Sequence, residues 1–488
     1  MPAYPEFCCG SYRVANPVTS QTALINWYPE IADQDGTVAK NSLLPTPGAQ
    51  PFVTVAGIAA GGRCLYDTGS GRTFGVVGDS LVELEAGGTY TLRGTLAIDA
   101  NPATIVTNGS QLFITSGGAG YNYDLATNVL TLIPGLAATQ GGMLYGFFVA
   151  FDKDLSRIRI SDLFDGLVWD PTQFADNTIT PDNWLGMCVT SFGQICLVGS
   201  KNGQFWFNSG AFPFPFAPDP SALFAVGIAA TFSIKEVNGG VTWIASGAQG
   251  GYTIVMAAGY SPEPISDKGV EYALSQLADV SDAVVDAYSE QGHSFVLYTL
   301  PSAKLTTSYD FTVKQWHQRG TWISEANAYT YWRPVFHCFS FGKHLMADRE
   351  TGVIYHVSNE LGLDVFDSAG VQRPIRRVRR APALCNEHYR LRYNRFEILA
   401  QMGLGTTSGD GDDPQMMLRQ SSDFGATWGN ELQASLGKIG EFSTRLIFWR
   451  IGSARGKVLE ISTTATTPVR LTDAYLEMLP STEGARGR

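Results

Sequence analysis

The sequence predicts an all-β protein: a β-propeller of six or seven blades followed by a C-terminal antiparallel β-sandwich. Three observations lead there. The 488 residues include 53 Gly and 12% aromatics but only 16% charged residues, against roughly 25% in ordinary domains. Many short strands joined by tight turns have this composition. Units of strand, Gly turn and strand recur through the middle of the chain, as in SFGQICLVGSKNGQFWF, VNGGVTWIASGAQGGYTIV and SFGKHLMADRETGVIYHV. Near the C-terminus, Ser421-Ser422-Asp423-Phe424-Gly425-Ala426-Thr427-Trp428 matches the Asp-box hairpin pattern S-x-D-x-G-x-T-W.

The length allows two or three domains. Residues 1–55 read as an N-terminal arm that crosses another surface, with no core of its own; within residues 1–50, Pro stands at 2, 5, 17, 29, 45 and 47. Residues 56–372 read as the propeller. Its units lie at Gly62–Gly94, Ile105–Ile133, Leu144–Trp169, Met187–Asn208, Phe232–Ala257, Val284–Trp316 and Phe336–Val357. They start roughly 30–50 residues apart, near the blade repeat of about 40–50. Seven units are counted, and six remains open because the first two are short. One segment departs from the strand pattern. After Ser266 and Asp267, either of which suits a cap, Val270, Leu274 and Leu277 fall on one face of a short helix.

Residues 373–395 hold eight Arg against one acid, Glu387, which marks a boundary in an acidic chain. Beyond it Phe396–Met402, Gln415–Gln420, Arg445–Gly452, Lys457–Thr463 and Arg470–Met478 read as strands of a sandwich spanning 373–480. The end, 481–488, reads as a flexible tail.

The net charge of −11 argues against a general DNA-wrapping or membrane-surface protein. The seven cysteines are scattered and lack zinc spacing, so free thiols in a reducing compartment are expected. The N-terminus lacks a signal-peptide pattern, and the longest apolar stretch, near Met143–Phe151, is too short to span a bilayer. Synthesis and assembly in a cytoplasm follow as expectations.

No catalytic, cofactor or metal residues are proposed. A propeller sialidase needs an arginine cluster, a Tyr nucleophile with an acidic partner and an Asp acid/base, and the Asp box occurs only once. Ser421, Asp423, Gly425, Thr427 and Trp428 are therefore read as a structural hairpin, in which Asp423 satisfies turn amides and Trp428 packs. The acidic loop Asp410-Gly411-Asp412-Asp413 lacks EF-hand spacing and reads as a hairpin tip. The six His, at 293, 317, 337, 344, 356 and 388, form no metal motif and read as core or turn residues. Gly-rich turns lack the Lys-Ser/Thr of a phosphate loop.

Two segments are candidate interfaces. Arg376, Arg377, Arg379 and Arg380 admit three readings: DNA phosphate contact, a clamp on acidic patches of a neighbouring subunit or adaptor, or a solvated surface. The clamp is favoured, since overall acidity opposes a tight grip on DNA. In AFPFPFAPDP at 211–220, Phe212, Phe214 and Phe216 sit among prolines that restrict the backbone, which lowers the entropy lost on docking. The alternative is a connecting loop folded over its own core.

An ordered set of short motifs resembles one family. It comprises Asn26-Trp27-Tyr28-Pro29-Glu30 and Thr46-Pro47-Gly48, then SDLFDGLVWDPTQFA at 161–175, Ser281-Asp282-Ala283, Gly292-His293-Ser294-Phe295 and Trp316-His317-Gln318-Arg319. In the last domain MMLRQSSDFGATWGNE, GKIGEFSTRLIFWRIG and a terminal DAYLEM follow. The set resembles the packaged-DNA stabilisation proteins, the tail hubs or nozzles of short-tailed bacteriophages. The resemblance implies a virion tail protein that is not an enzyme. It would form a homohexameric ring below the portal and its adaptor ring, closing the DNA-filled head. Tail fibre or spike and needle proteins would attach to it, and double-stranded DNA would pass during ejection without sequence-specific contact. The N-terminal arm and the loop at Phe212–Phe216 are where such partners would differ. A propeller-type glycoside hydrolase or glycan-binding protein is the rival reading.

Overall fold

Two kinds of strand occupy the middle of the chain. Second strands such as Gln111–Ser116, Gln194–Gly199 and Lys343–Asp348 are nearly continuous apolar runs and are buried on both faces. Fourth strands such as Tyr90–Thr95 and Val129–Ala137 are mixed and largely open to solvent. Stacked sheets require this gradient, because inner strands touch a neighbouring sheet on each side while the last strand lies at the rim. The computed structural model describes residues 2–32, 40–57, 60–247, 250–366, 372–385 and 389–480. The expected tail at 481–488, His388 and the Asp410 side chain lie outside the described residues.

Seven sheets of four or more strands surround an axis. Blades one to five span Gly62–Thr95, Thr104–Ala137, Gln140–Asp176, Trp184–Phe224 and Gly227–Pro264. Blade six spans Val284–Arg319, and blade seven is built from Pro334–Ser340, Lys343–Asp348, Val353–Ser358 and, on its outside, Gly48–Thr54. Seven apolar clusters lie between successive blades, the last joining blade seven to blade one through Leu345, Ile354, Leu65 and Val82. An eighth fills the sandwich. The expected helix forms at Lys268–Ser275 between blades five and six. The Asp267 carboxylate accepts from the Val270 amide at 2.8 Å, and Val270 and Leu274 are buried.

The N-terminal segment differs from the expected arm. Gly48–Thr54 pairs antiparallel with Val353–Ser358 and closes the propeller ring. Upstream, Gln21–Ile25, Trp27–Ile31 and Asn41–Pro45 are strands of the sandwich itself. Its first sheet runs Trp27–Ile31, Asn41–Pro45, Leu471–Pro480, Leu391–Ala400, Leu446–Ala454. Its second runs Gln21–Ile25, Arg377–Arg380, Gly456–Thr463, Gln415–Ser421, Leu432–Ser435. That second sheet continues into blade six through a parallel bridge from Ile25 to Gln318, so propeller and sandwich share one sheet. Tyr4, Phe7, Leu24, Trp27 and Leu43 are buried in the sandwich core. Burying such side chains contributes about 1.5–3 kcal/mol each, which holds the segment in place. The prolines are compatible with strands here because Pro29 sits on the sheet's edge strand and Pro45 at a strand end.

Candidate interaction surfaces

The arginine run lies mostly inside. Strand Arg377–Arg380 is central in the second sandwich sheet, so its side chains alternate between the core and the outer face. Arg377 and Arg379 are both 0% exposed. The Arg379 Nε donates to the Phe7 carbonyl at 2.6 Å, and its other nitrogens reach the carbonyls of Glu6, Gly10 and Ala23. It therefore pins the first turn of the chain to the sandwich. Arg377 donates to the Ala465 carbonyl, while its Nε and Nη2 have no hydrogen-bond partner among the described residues. Burial lowers its affinity for a proton, to a pKa of about 10, and burial likewise raises the nearby Asp364 to about 6. A clamp on a neighbour by Arg377 or Arg379 is thus corrected: both are sealed by the chain's own strands. Arg376 and Arg380 reach the outer face. Arg380 pairs with Glu460 at 2.7 Å, and Arg376 stacks on Trp322 with its carbon 4.2 Å from the ring centre.

The Asp box is a hairpin held by its own side chains. The Asp423 carboxylate accepts from the Ser421 hydroxyl at 2.6 Å, the Thr427 amide at 2.9 Å and the Thr427 hydroxyl. Those bonds favour the ionised form and pull its pKa to about 2. Ser421 Oγ accepts from the Gly425 amide at 2.7 Å. Gly425 has φ +91°, which suits glycine, and a Cβ at Gly456 would fall 2.1 Å from the Phe424 ring, so only glycine lets the hairpin seat there. Trp428 lies against the guanidinium groups of both Arg380 and Arg419, 4.9 and 4.8 Å from its ring centre. The Ser421, Asp423 and Thr427 side chains are bonded within the turn, and the box lies in the sandwich, away from the propeller axis.

In the Pro/Phe loop only one phenylalanine is presented. Phe216 is buried among Phe147, Trp206 and Phe214, and Phe214 packs edge-on against Trp206. Phe212, at the tip, is 94% exposed. The Ser209 amide and hydroxyl both donate to the Pro215 carbonyl, which closes the base of the loop and holds the tip outward.

The propeller axis holds a cavity of about 530 Å3 lined by the innermost strands of all seven blades. Lys235 and Asp286 form an ion pair across it, and the His337 amide donates to the same carboxylate. Burial keeps His337 neutral, with its pKa lowered to about 4, and holds the Cys64 and Cys188 thiols up near 12. The cavity has the size of a small-ligand pocket. Among the described residues no group of three or more His, Cys, Asp or Glu is placed to hold a metal, and no helix is long and apolar enough to cross a membrane.

One surface was not singled out from the sequence. Leu163 and Phe164 lie over the Tyr145–Gly146 turn, and Tyr145 reaches the Gly193 turn beside Phe192. These four side chains are all about half exposed or more and form an apolar patch on one propeller face. The available signal is the non-alternating apolar run in SDLFDGLV.

Several of the motifs that carry the family resemblance, those at Asn26–Tyr28, His293–Phe295 and Trp316–Arg319, meet at the joint of propeller and sandwich. Asn26 (φ +59°) donates through Nδ2 to the carbonyls of Gly320 and Arg376 and accepts from the Gly320 amide at 2.9 Å. Tyr28 packs against His293 and Phe295. His293 Nδ1 lies 2.6 Å from the buried Asp310 carboxylate. Arg319 sits among Tyr288, Phe295 and Trp332, its carbon about 5 Å from each ring centre.

The fold is a β-propeller joined to a β-sandwich. Family models place it: residues 8–362 match the model described as Bacteriophage P22 Gp10, beta-propeller, and residues 376–478 match Bacteriophage P22 Gp10, beta-sandwich. The chain belongs to this family, the phage DNA-stabilisation and tail-hub proteins, and so is a structural component of a virion. No curated protein matches it. Solved structures overlap it loosely. Virginiamycin B lyase from Staphylococcus aureus is 11% identical, with 64% of this chain and 99% of that one covered at a TM-score of 0.42. The N-terminal domain of Nup159 is 10% identical, with 70% and 99% covered at 0.43. The WD40 repeats of RRP9 are 9% identical, with 64% and 99% covered at 0.41.

Proposed function

We propose that this protein is a tail hub or nozzle. In this reading copies form a closed ring, sixfold as first choice, below the portal and adaptor of a short-tailed phage. The ring seals the packaged genome, carries other tail parts and surrounds the DNA on ejection, after assembly in the host cytoplasm. The observation that carries the reading is the match of both domains, in order, to one phage structural family. In this reading any conduit lies between subunits, because the cavity of about 530 Å3 at the axis of one propeller is small beside a duplex. Side-chain packing across a shared sheet at the joint suits a part that must keep its shape under load. A glycosidase role has less support, because the box's Asp423 is committed to its own turn.

Native mass measurement and negative-stain imaging of the protein assembled on its adaptor test this. A closed ring with a central opening wide enough for duplex DNA is expected. A chain that stays monomeric inside the particle overturns the reading, whereas a monomer free in solution agrees with assembly on a template.

A further inference from the structure

The outer face of the sandwich carries a recessed cleft of about 240 Å3 beside the hairpin Thr321–Thr330. Trp322 and Tyr329 line it from that hairpin, and Arg376, Arg380, Arg419 and Glu460 come from the sandwich. Two of the three guanidinium groups, those of Arg380 and Arg419, share one buried carboxylate, Glu460. Glu460 accepts from the Nε of Arg380 at 2.8 Å and of Arg419 at 2.5 Å, and satisfies only one edge of each. Arg376 makes no hydrogen bond through its guanidinium among the described residues; its Nε is buried and without a partner, and Glu431 stands 3.7 Å from its Nη2.

Each guanidinium lies over an indole, its carbon 4.2 Å from the Trp322 ring centre for Arg376 and 4.9 and 4.8 Å from that of Trp428 for Arg380 and Arg419. A guanidinium held over an aromatic ring keeps its N–H donors, which lie in its own plane, available to acceptors. Arginines fixed this way lose little side-chain entropy on binding, and a carboxylate in the same plane is their best-matched acceptor. We propose that this cleft is a docking site for an acidic peptide segment of a partner protein, which inserts a Glu or Asp side chain between Arg376 and Arg419. A protein carboxylate is favoured over DNA because the recess admits one side chain, while a duplex backbone meets an acidic protein with a net charge of −11. The inference stands whether or not the chain forms a ring.

The test uses the full-length protein and fluorescein-labelled hexaglutamate, read by fluorescence polarisation at low and high salt, with a 20-base-pair duplex as competitor. Binding that weakens with salt is expected, with about a tenfold loss or more in the Arg376→Gln/Arg419→Gln double variant. Glu460 keeps Arg380 in that variant. Glu431→Gln, an exposed change that leaves the fold untouched, removes the competing carboxylate and is expected to tighten binding severalfold. Absence of hexaglutamate binding, or binding indifferent to all three substitutions, overturns the proposal. Displacement by the duplex at a lower concentration than by unlabelled hexaglutamate, with the same dependence on Arg376, assigns the cleft to phosphate and overturns it as well.

Discussion

The propeller and the sandwich bury similar side chains but are assembled differently. Blades one to six each use strands consecutive in sequence, so each of these six forms from contacts within about forty residues, and only blade seven draws on a distant strand. The sandwich takes three strands from residues 21–45 and pairs them with strands beyond residue 377, and even its inner arginine reaches back to Glu6 and Phe7. The contrast teaches where the chain is vulnerable. Local blades tolerate loss of a distant segment, whereas the sandwich exists only when the two ends of the chain meet.

Deleting residues 2–47 while retaining Gly48–Thr54 is the most direct way to break this comparison. Blade seven keeps its closing strand and blades one to five keep all their inter-blade packing, so they are expected to stay protease-resistant, while residues 376–480 become cleavable and the contact between blades six and seven, which loses Tyr28, loosens. Limited proteolysis with peptide mapping checks it; equal cleavage of both halves, or of neither, would contradict separate assembly. Arg379→Met is a finer cut. It leaves the buried carbonyl of Phe7 without its arginine donor, removes the same donor from the part-buried carbonyls of Glu6, Gly10 and Ala23, and a loss of about 3–5 kcal/mol is expected in urea unfolding. Arg376→Gln, on the outer face, is expected to cost about 1 kcal/mol or less.

Acid sharpens the contrast further. Burial lowers His317, His337, His344 and His356, all in the propeller, below their ordinary value. A histidine with a depressed folded pKa stabilises above its unfolded value and loses that contribution as pH falls through its folded value. For His337 the window runs from 6.5 down to about 4, on the order of 3 kcal/mol. Asp364, beside the sandwich, has the opposite sign. Its raised pKa stabilises at low pH, and that contribution is lost as pH rises from 3.8 through about 6. Hydrogen exchange from pH 7 to 4.5 is therefore expected to loosen blades six and seven first, and His337→Gln to reduce that loosening. A sandwich that opens first would refute the assignment.

Much of the fold was legible in the sequence, for physical reasons. Strands inside a stack of blades must be apolar on both faces, and Gly turns separate them, so ICLVG and LMAD mark their own positions. The helix announced itself through Asp267 and the spacing of Val270 and Leu274. The Asp-box hairpin was readable because its bonds are all local. Long-range pairing was hidden. Gln21–Ile25 alternates over only five residues, and the prolines around it suggested an arm, because an isolated sequence does not show which strand 350 residues away will cover it. The arginine run misled for the same reason. Charge predicts a surface, yet Arg377 and Arg379 lie inside, where carbonyls of the N-terminal turn accept from Arg379. The cleft at Arg376, Arg380 and Arg419 needed three dimensions, since two of its members are separated by some forty residues.

The smallest expected effect on stability belongs to Phe212. Its ring is almost wholly in water, so Phe212→Ser is expected to shift unfolding by no more than about 0.5 kcal/mol. Phe214→Ser, two residues on, removes a ring packed on Trp206 and Phe216 and is expected to cost about 1–3 kcal/mol. The pair separates contact from packing. If the loop meets a partner, Phe212→Ser leaves the chain folded but weakens co-sedimentation with the adaptor or other tail parts, while its free energy of unfolding stays at the wild-type value. Phe214→Ser lowers stability whether or not a partner binds. Unchanged co-sedimentation for Phe212→Ser would make the loop a cover for blade four and nothing more, with its exposed tip a residue the fold merely tolerates.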